Sequence, residues 1–267
     1  YGGQYFAVFL TKLSHTKVEL TYNLMRTFVA GLAFAMPFSL VYQMMSDRMK
    51  GQQKSEKVIK GLPFAAGFTA GTAVSIAGNM HYVIYAQIIP LIEKLTGKEV
   101  SSYWFPDATR YIGYNPYREE DRTIHEFPCY SFVLGDLHAH VVNIMFVLLV
   151  IAFLYVWLRG VRKKTVPVET SMKDGKFWKE QLLMPHLLVI SALLGMFQWT
   201  NFWDFVIYYV VTLGTVLFAN IIRFQGKIKK IMVVTFAQMA EIYLLAYLVI
   251  LPFTLQFDTM VDGIGIA

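Results

Sequence analysis

Long, uninterrupted blocks of apolar residues are the feature that most constrains this chain. A helix of about 20 apolar residues spans a bilayer hydrocarbon core of about 30 Å. Blocks of roughly this length recur along the sequence, at about residues 22–45, 62–82, 140–158, 182–199, 205–222 and 231–253. They predict an all-α, polytopic membrane helix bundle with about six transmembrane helices. The second block contains Gly67 and Gly71, whose GxxxG spacing predicts close helix packing.

Two shorter apolar segments are too short to span a bilayer: residues 5–13 are predicted to lie at the membrane interface or to end a truncated helix, and residues 83–95 to form a surface helix. A polar loop at about residues 96–132 is the longest in the chain. We expect residues 1–267 to form a single transmembrane domain. We also expect this domain to be a fragment of a longer protein, because the sequence starts at Tyr1 rather than at a methionine.

Charged residues are few and unevenly distributed. They make up 16% of the chain, against the ~25% usual for soluble domains. Lys and Arg concentrate in three loops, at about residues 47–60, 159–179 and 223–230, which share one side if the spans alternate. By the positive-inside rule this side is cytoplasmic, and the 96–132 loop is external. The net charge of +6 therefore reflects topology, and we predict a multi-pass protein of the cell membrane that contacts lipids and no nucleic acid.

Several ionisable residues lie close together before the predicted third span. Glu126, Asp136, His138 and His140 would lie at its outer mouth. Ionisable residues at membrane depth are costly, so they are functional candidates by default. They would also lie at a helix N-terminus, whose free N–H groups attract anions.

Three interpretations of this cluster remain open. Asp136, His138 and His140 could bind a divalent metal such as Mg or Mn, since carboxylate and imidazole are suitable ligands. Alternatively, a histidine together with Arg110 or Arg122 could hold a lipid phosphate while one of the carboxylates acts as a general base. In the third interpretation, Asp136 caps the third span and the histidines only form hydrogen bonds at the interface.

A second polar group connects the predicted fourth and fifth spans on the same outer side. Asn201 and Asp204 suit a turn, and Asp204 could cap the fifth span. Alternatively, the turn forms a second wall of the site, with Trp203 stacking on a sugar or lipid head group. Asn79 ends the second span on this side as well. We predict that this turn and residues 136–140 converge in one external cavity.

The order of residues in this region resembles a family signature. Glu126-Phe-Pro, Ser131-Phe and Gly135-Asp-Leu-His-Ala-His140 follow one another as in the YYY family of prokaryotic multi-pass membrane proteins. Weaker matches are Tyr1 to Phe6, Tyr22-Asn23, Gly78-Asn79, Trp104 with Arg110, and Asn201-Phe-Trp-Asp204. That family is similar to the GT-C glycosyltransferases, integral membrane enzymes that use polyprenyl-phosphate sugars at the outer face. The resemblance implies catalytic acids in external loops.

On this resemblance we expect a GT-C-like glycosyltransferase that moves a sugar from a polyprenyl-phosphate donor to an extracytoplasmic acceptor. Asp136 or Glu126 would orient or deprotonate the acceptor hydroxyl. The expected substrate-binding residues are Arg110, Arg122, Asn201, Asp204, Asn79 and Trp203. The alternative is a non-catalytic membrane scaffold or a flippase for lipid-linked substrates. The expected partners are membrane lipids, the polyprenyl-phosphate donor and other membrane proteins. A flippase would place charges along a central path, whereas Glu241 is one of few charges in mid-span.

Overall fold

The computed structural model describes residues 2–50, 52, 55–78, 80–109, 124–163 and 171–257. Within these ranges the regular structure is helical, and no β-strand occurs in them. The all-α fold class predicted from the apolar blocks is therefore confirmed.

The described residues form ten α-helices. They are α1 (Gly2–Ser14), α2 (Val18–Met49), α3 (Glu56–Ser75), α4 (Ile89–Leu95), α5 (Pro128–Leu134), α6 (Ala139–Lys163), α7 (Gly175–Leu182), α8 (Pro185–Thr200), α9 (Phe202–Phe224) and α10 (Ile228–Thr254). A π-helical segment, Val83–Ile88, leads into α4, and a 3₁₀ helix, Phe105–Thr109, follows it. The region predicted as a loop at 96–132 thus contains this 3₁₀ helix and the start of α5.

Four of these helices, α2, α6, α9 and α10, are long and apolar enough to cross a membrane. Helices α7 and α8 form a fifth candidate span as a pair bent by 49°. Helix α3, with 20 residues, is not among the candidate spans. The described chain is therefore a multi-pass membrane protein with four or five candidate spans, fewer than the six predicted. The sidedness of the loops stays a prediction.

The chain divides into two compact units. The first, called here the hairpin unit, comprises residues 17–141 and is built on α2 packed against α3. A Cβ added to Gly67 or Gly71 would lie 2.8 Å from the backbone oxygen of Phe38 or Phe34, respectively. Only glycine allows this approach, so the close packing predicted from the GxxxG pair is confirmed.

The second unit, called the bundle unit, comprises residues 1–16 and 142–267. Its core is formed by α6, α8, α9 and α10, from which Val150, Leu194, Val216 and Ile242 are fully buried. Gly195 on α8 faces α10 so closely that a Cβ would lie 2.6 Å from the backbone oxygen of Ala246. Small residues at this crossing let the helices pack without a gap.

A network of buried amide side chains fixes the ends of α9 and α10 against α7. Asn220 donates hydrogen bonds to Gln238 Oε1 (2.8 Å) and to Thr235 Oγ1 (3.0 Å). Arg223 donates to Gln181 Oε1 and, at 3.2 Å, to Asn220 Oδ1. Because polar groups inside a bundle are costly without partners, this network specifies the register of the three helices.

Candidate functional site

The polar segment before α6 is shaped by a glycine turn. Helix α5 starts at Pro128 and ends at Leu134, and its C-cap residue, Gly135, has a left-handed backbone with φ +79°. The N–H groups of Gly135 and Asp136 both donate to the carbonyl oxygen of Ser131 at 2.9 Å. This arrangement is a common helix C-cap, and glycine adopts it without strain. It places Asp136 just after the end of α5, with two residues between it and α6.

Three side chains meet at this turn and form what we call the carboxylate–histidine cluster: Glu126, Asp136 and His138. Nδ1 of His138 lies 3.0 Å from Asp136 Oδ2 and 3.1 Å from Glu126 Oε2, within ion-pairing distance of both. The Glu126 side chain is 22% exposed, while those of Asp136 and His138 are about half exposed. Both carboxylates lie near the same ring nitrogen, although neither forms a hydrogen bond to it, and Nε2 lies on the opposite edge of the ring.

His140 lies beside this cluster, with its ring stacked on that of His138 at a centroid distance of 5.7 Å. Among the described residues, no group of three or more His, Cys, Asp or Glu side chains is arranged so that it could hold a metal ion. Metal binding by Asp136, His138 and His140 therefore stays a prediction without support from the described geometry.

The capping interpretation of Asp136 does not fit the helix boundary. Helix α6 begins at Ala139, so the cap position falls on His138. Asp136 is separated from α6 by a segment of two residues, Leu137 and His138, without regular secondary structure. The N–H of Leu137 in that segment donates to the hydroxyl of Tyr22 on α2 at 3.3 Å.

The positively charged side chain of Arg26 lies against this turn, although Arg26 is not among the site residues predicted from the sequence. A Cβ built on Gly135 would overlap the guanidinium of Arg26, which extends from α2. Arg26 lies within the apolar block at 22–45. An arginine inside a span is a signal of function, and it could have identified this residue from the sequence. The site thus combines two carboxylates, a histidine and an arginine in the hairpin unit.

Glu126 of the cluster borders an open cavity of about 520 Å³, called here the polar cavity because its wall includes Glu126 and two histidines beside Ile124 and Phe127. Its described lining comes from residues 124–127 and from His140. Glu126 therefore contacts both His138 and this cavity, where a ligand would meet its carboxylate.

The second predicted polar group, the turn with Asn201 and Asp204, lies in the bundle unit. Hydrogen bonds link it to Asn143 and Thr200, and we call these four residues the polar knot. Asp204 Oδ2 accepts hydrogen bonds from Asn143 Nδ2 at 2.5 Å and from Asn201 Nδ2 at 3.0 Å. Thr200 Oγ1 donates to Asn143 Oδ1 at 2.7 Å. The cap position of α9 is Asn201, so Asp204 lies in the first turn instead of capping it. Trp203 is 68% exposed and takes no part in the knot, so its stacking role stays a prediction.

Asn143 was not expected from the sequence, although an amide inside an apolar span is a recognisable signal. It is fully buried in α6 and connects that helix to α8 and α9. Three predicted substrate-binding residues, Asn79, Arg110 and Arg122, lie outside the described residues. The carboxylate–histidine cluster and the polar knot belong to different units, and their convergence in one cavity stays a prediction.

Comparison with known proteins places the chain in a family. No curated protein and no solved structure matches it. A family profile described as "Uncharacterized membrane protein (DUF2298)" matches residues 1–267. This description agrees with the apolar helices of the described chain. Because the match covers the whole sequence, the chain belongs to the DUF2298 family of uncharacterized membrane proteins.

Proposed function

We propose that this protein is a GT-C-like glycosyltransferase that moves a sugar from a polyprenyl-phosphate donor to an extracytoplasmic acceptor. One observation carries the proposal. Carboxylate oxygens of Glu126 and Asp136 lie within 3.1 Å of His138 Nδ1, and Arg26 lies against the same turn. Glycosyl transfer to a hydroxyl requires a base for the acceptor and a positive charge near the phosphate leaving group. The site offers both kinds of group.

The carboxylates supply the base. In the proposed reaction, the acceptor oxygen forms a bond to the anomeric carbon of the sugar, and its proton passes to Asp136 or Glu126. The bond between that carbon and the donor phosphate breaks, and the phosphate leaves with the electron pair. Asp136 is half exposed and Glu126 lines the polar cavity, so an acceptor hydroxyl can reach either carboxylate.

Arg26 supplies the positive charge. Its guanidinium lies on the glycine turn, where a planar, permanently charged group can bind two phosphate oxygens at once. His140, which lines the polar cavity, offers a further donor. Arg110 and Arg122 remain proposed contributors from the sequence. Charge stabilisation of this kind acts on the leaving group as its negative charge develops.

The flippase alternative would require charges along a path through the bundle. Glu241 lies near the middle of α10, and its Oε2 is buried without a hydrogen-bond partner among the described residues. One acid at mid-span does not mark a path for a charged head group. The concentration of ionisable groups at the end of α5 favours the transferase.

The proposal is tested first by binding of farnesyl phosphate, a short stand-in for the donor, to the purified protein in lipid nanodiscs. Arg26→Gln should weaken binding about tenfold or more, since a charge-assisted hydrogen bond contributes ~1.5–3 kcal/mol. The control is Arg48→Gln, an exposed arginine near the other end of α2, which should bind like the wild type. Absence of wild-type binding would contradict the proposal, and equal affinities of the two variants would remove Arg26 from it.

A further inference from the structure

An apolar cavity of about 470 Å³ lies in the hairpin unit beside the polar cavity. This volume falls within the ~300–1,000 Å³ typical of small-molecule sites. One wall is a row of aromatic rings: Phe105 stacks on Tyr130 at 5.1 Å and meets the edge of Tyr82 at 5.7 Å. Aliphatic residues, among them Ile76 and Val133, line other parts of the wall.

One short segment separates the two cavities. His125 and Phe127 line both of them, while Glu126 lines the polar cavity. The N–H of His125 donates to the carbonyl oxygen of Thr109 at 2.8 Å, which ties this segment to the 3₁₀ helix. A ligand that filled both cavities would therefore have an apolar part on one side of residues 125–127 and a polar part next to Glu126.

We propose that the apolar cavity holds the hydrocarbon chain of an isoprenyl phosphate whose phosphate lies in the polar cavity. The identity of the head group rests on the proposed function, whereas the position of the hydrocarbon chain rests on the apolar cavity itself. Of the residues that line the polar cavity, His125 and His140 have imidazole groups that can donate hydrogen bonds to a phosphate, whereas an apolar cavity in a membrane protein excludes a charged head group. The flat aromatic wall fits the planar double bonds of isoprene units by ring-face contact.

The protein contains a natural reporter of whether this cavity is occupied, the thiol of Cys129. Cys129 is its single cysteine, and its side chain lines the apolar cavity. Burial raises the pKa of its thiol, so alkylation is best followed in mildly alkaline buffer, where more thiolate is present. The rate at which N-ethylmaleimide modifies Cys129 then measures how often the cavity is empty.

The experiment compares three probes on the purified, otherwise unmodified protein, with modification followed by intact mass spectrometry. Farnesyl phosphate at about ten times its dissociation constant should slow alkylation of Cys129 about tenfold, as mass action requires for a filled site. Inorganic phosphate should have no effect, and farnesol should protect only at higher concentration. Val133→Trp, which fills the cavity, should weaken farnesyl phosphate binding. Leu134→Trp, next along α5 and absent from the described cavity wall, should not.

The outcomes separate this inference from the proposed function. If farnesyl phosphate binds without slowing alkylation, and Val133→Trp does not change its affinity, its hydrocarbon chain lies elsewhere and only this inference is overturned. If farnesol and farnesyl phosphate protect equally at the same concentration, and Arg26→Gln changes nothing, the cavity assignment stands and the phosphate site of the proposed function fails.

Discussion

Replacing Gly135 by alanine perturbs the turn that carries the carboxylate–histidine cluster in two separable ways. The first is backbone strain, because Gly135 has φ +79° and an L-residue in the left-handed region costs about 1–2 kcal/mol. The second is steric, because the new Cβ would overlap the guanidinium of Arg26. That group ends a flexible side chain, so it can move away at little cost in stability. The substitution should therefore destabilise the protein modestly and displace Arg26.

Gly97 provides a matched control in the same unit. It has φ +69°, and a Cβ added to it would meet nothing within 4 Å. Gly97→Ala therefore introduces the backbone strain without moving a neighbouring side chain. Both variants should lose about 1 kcal/mol of stability, or roughly 2–4 °C in Tm for a chain of this size. Only Gly135→Ala should lose affinity for farnesyl phosphate, by about tenfold, which corresponds to ~1.4 kcal/mol.

Both quantities can be measured on the same detergent-solubilised samples, by thermal melting and by titration with farnesyl phosphate. If Gly135→Ala melts as expected but binds like Gly97→Ala, Arg26 does not contribute to phosphate binding. If Gly135→Ala melts like the wild type, the argument from the left-handed backbone is wrong.

Three further predictions concern the fold. Asn143→Leu should destabilise the bundle unit by about 1–3 kcal/mol, because Asp204 loses a buried donor; an unchanged Tm would contradict this. Gly67→Leu should separate α2 from α3 and lower Tm, whereas Gly61→Leu, which meets nothing within 4 Å, should not; thermal melting of both variants decides the matter. In a protein whose native cysteine is replaced by serine, a cysteine at Lys173 should resist a membrane-impermeant maleimide in intact cells; external labelling would overturn the predicted topology.

The helices were predictable because their apolar blocks are long and nearly free of charge. The prediction was less accurate where composition is ambiguous. Helix α3 is rich in small residues, so its apolar block was extended to residue 82, although the helix ends at Ser75. Helices α7 and α8 were predicted as a loop and a span, whereas the structure joins them at a bend before Pro185.

The candidate site was predictable only in part. Its carboxylates and histidines are close in sequence, and a local turn brings them together without long-range information. The contribution of Arg26 depends on how α2 packs against the turn at Gly135, and sequence spacing does not contain that geometry. Asn143 illustrates the same difficulty, since its partners are 57 and 61 residues away along the chain. Arg26 and Asn143 are both polar residues in apolar blocks. This pattern identifies them as functional or structural candidates but does not predict which residues they contact.

The most direct test of the central claim is sugar transfer by the Asp136→Asn variant. Transfer is measured with radiolabelled polyprenyl-phosphate sugars and membranes containing the wild-type or variant protein. Asparagine keeps the size of the side chain and one acceptor oxygen but removes the negative charge, so the turn should stay folded while base action is lost. Transfer by Asp136→Asn should fall at least about a hundredfold, the lower end for removal of general-base catalysis. Wild-type activity in a correctly inserted Asp136→Asn protein would contradict the assignment of Asp136 as the base, and wild-type activity in Glu126→Gln as well would contradict the assignment of this cluster as the site of transfer.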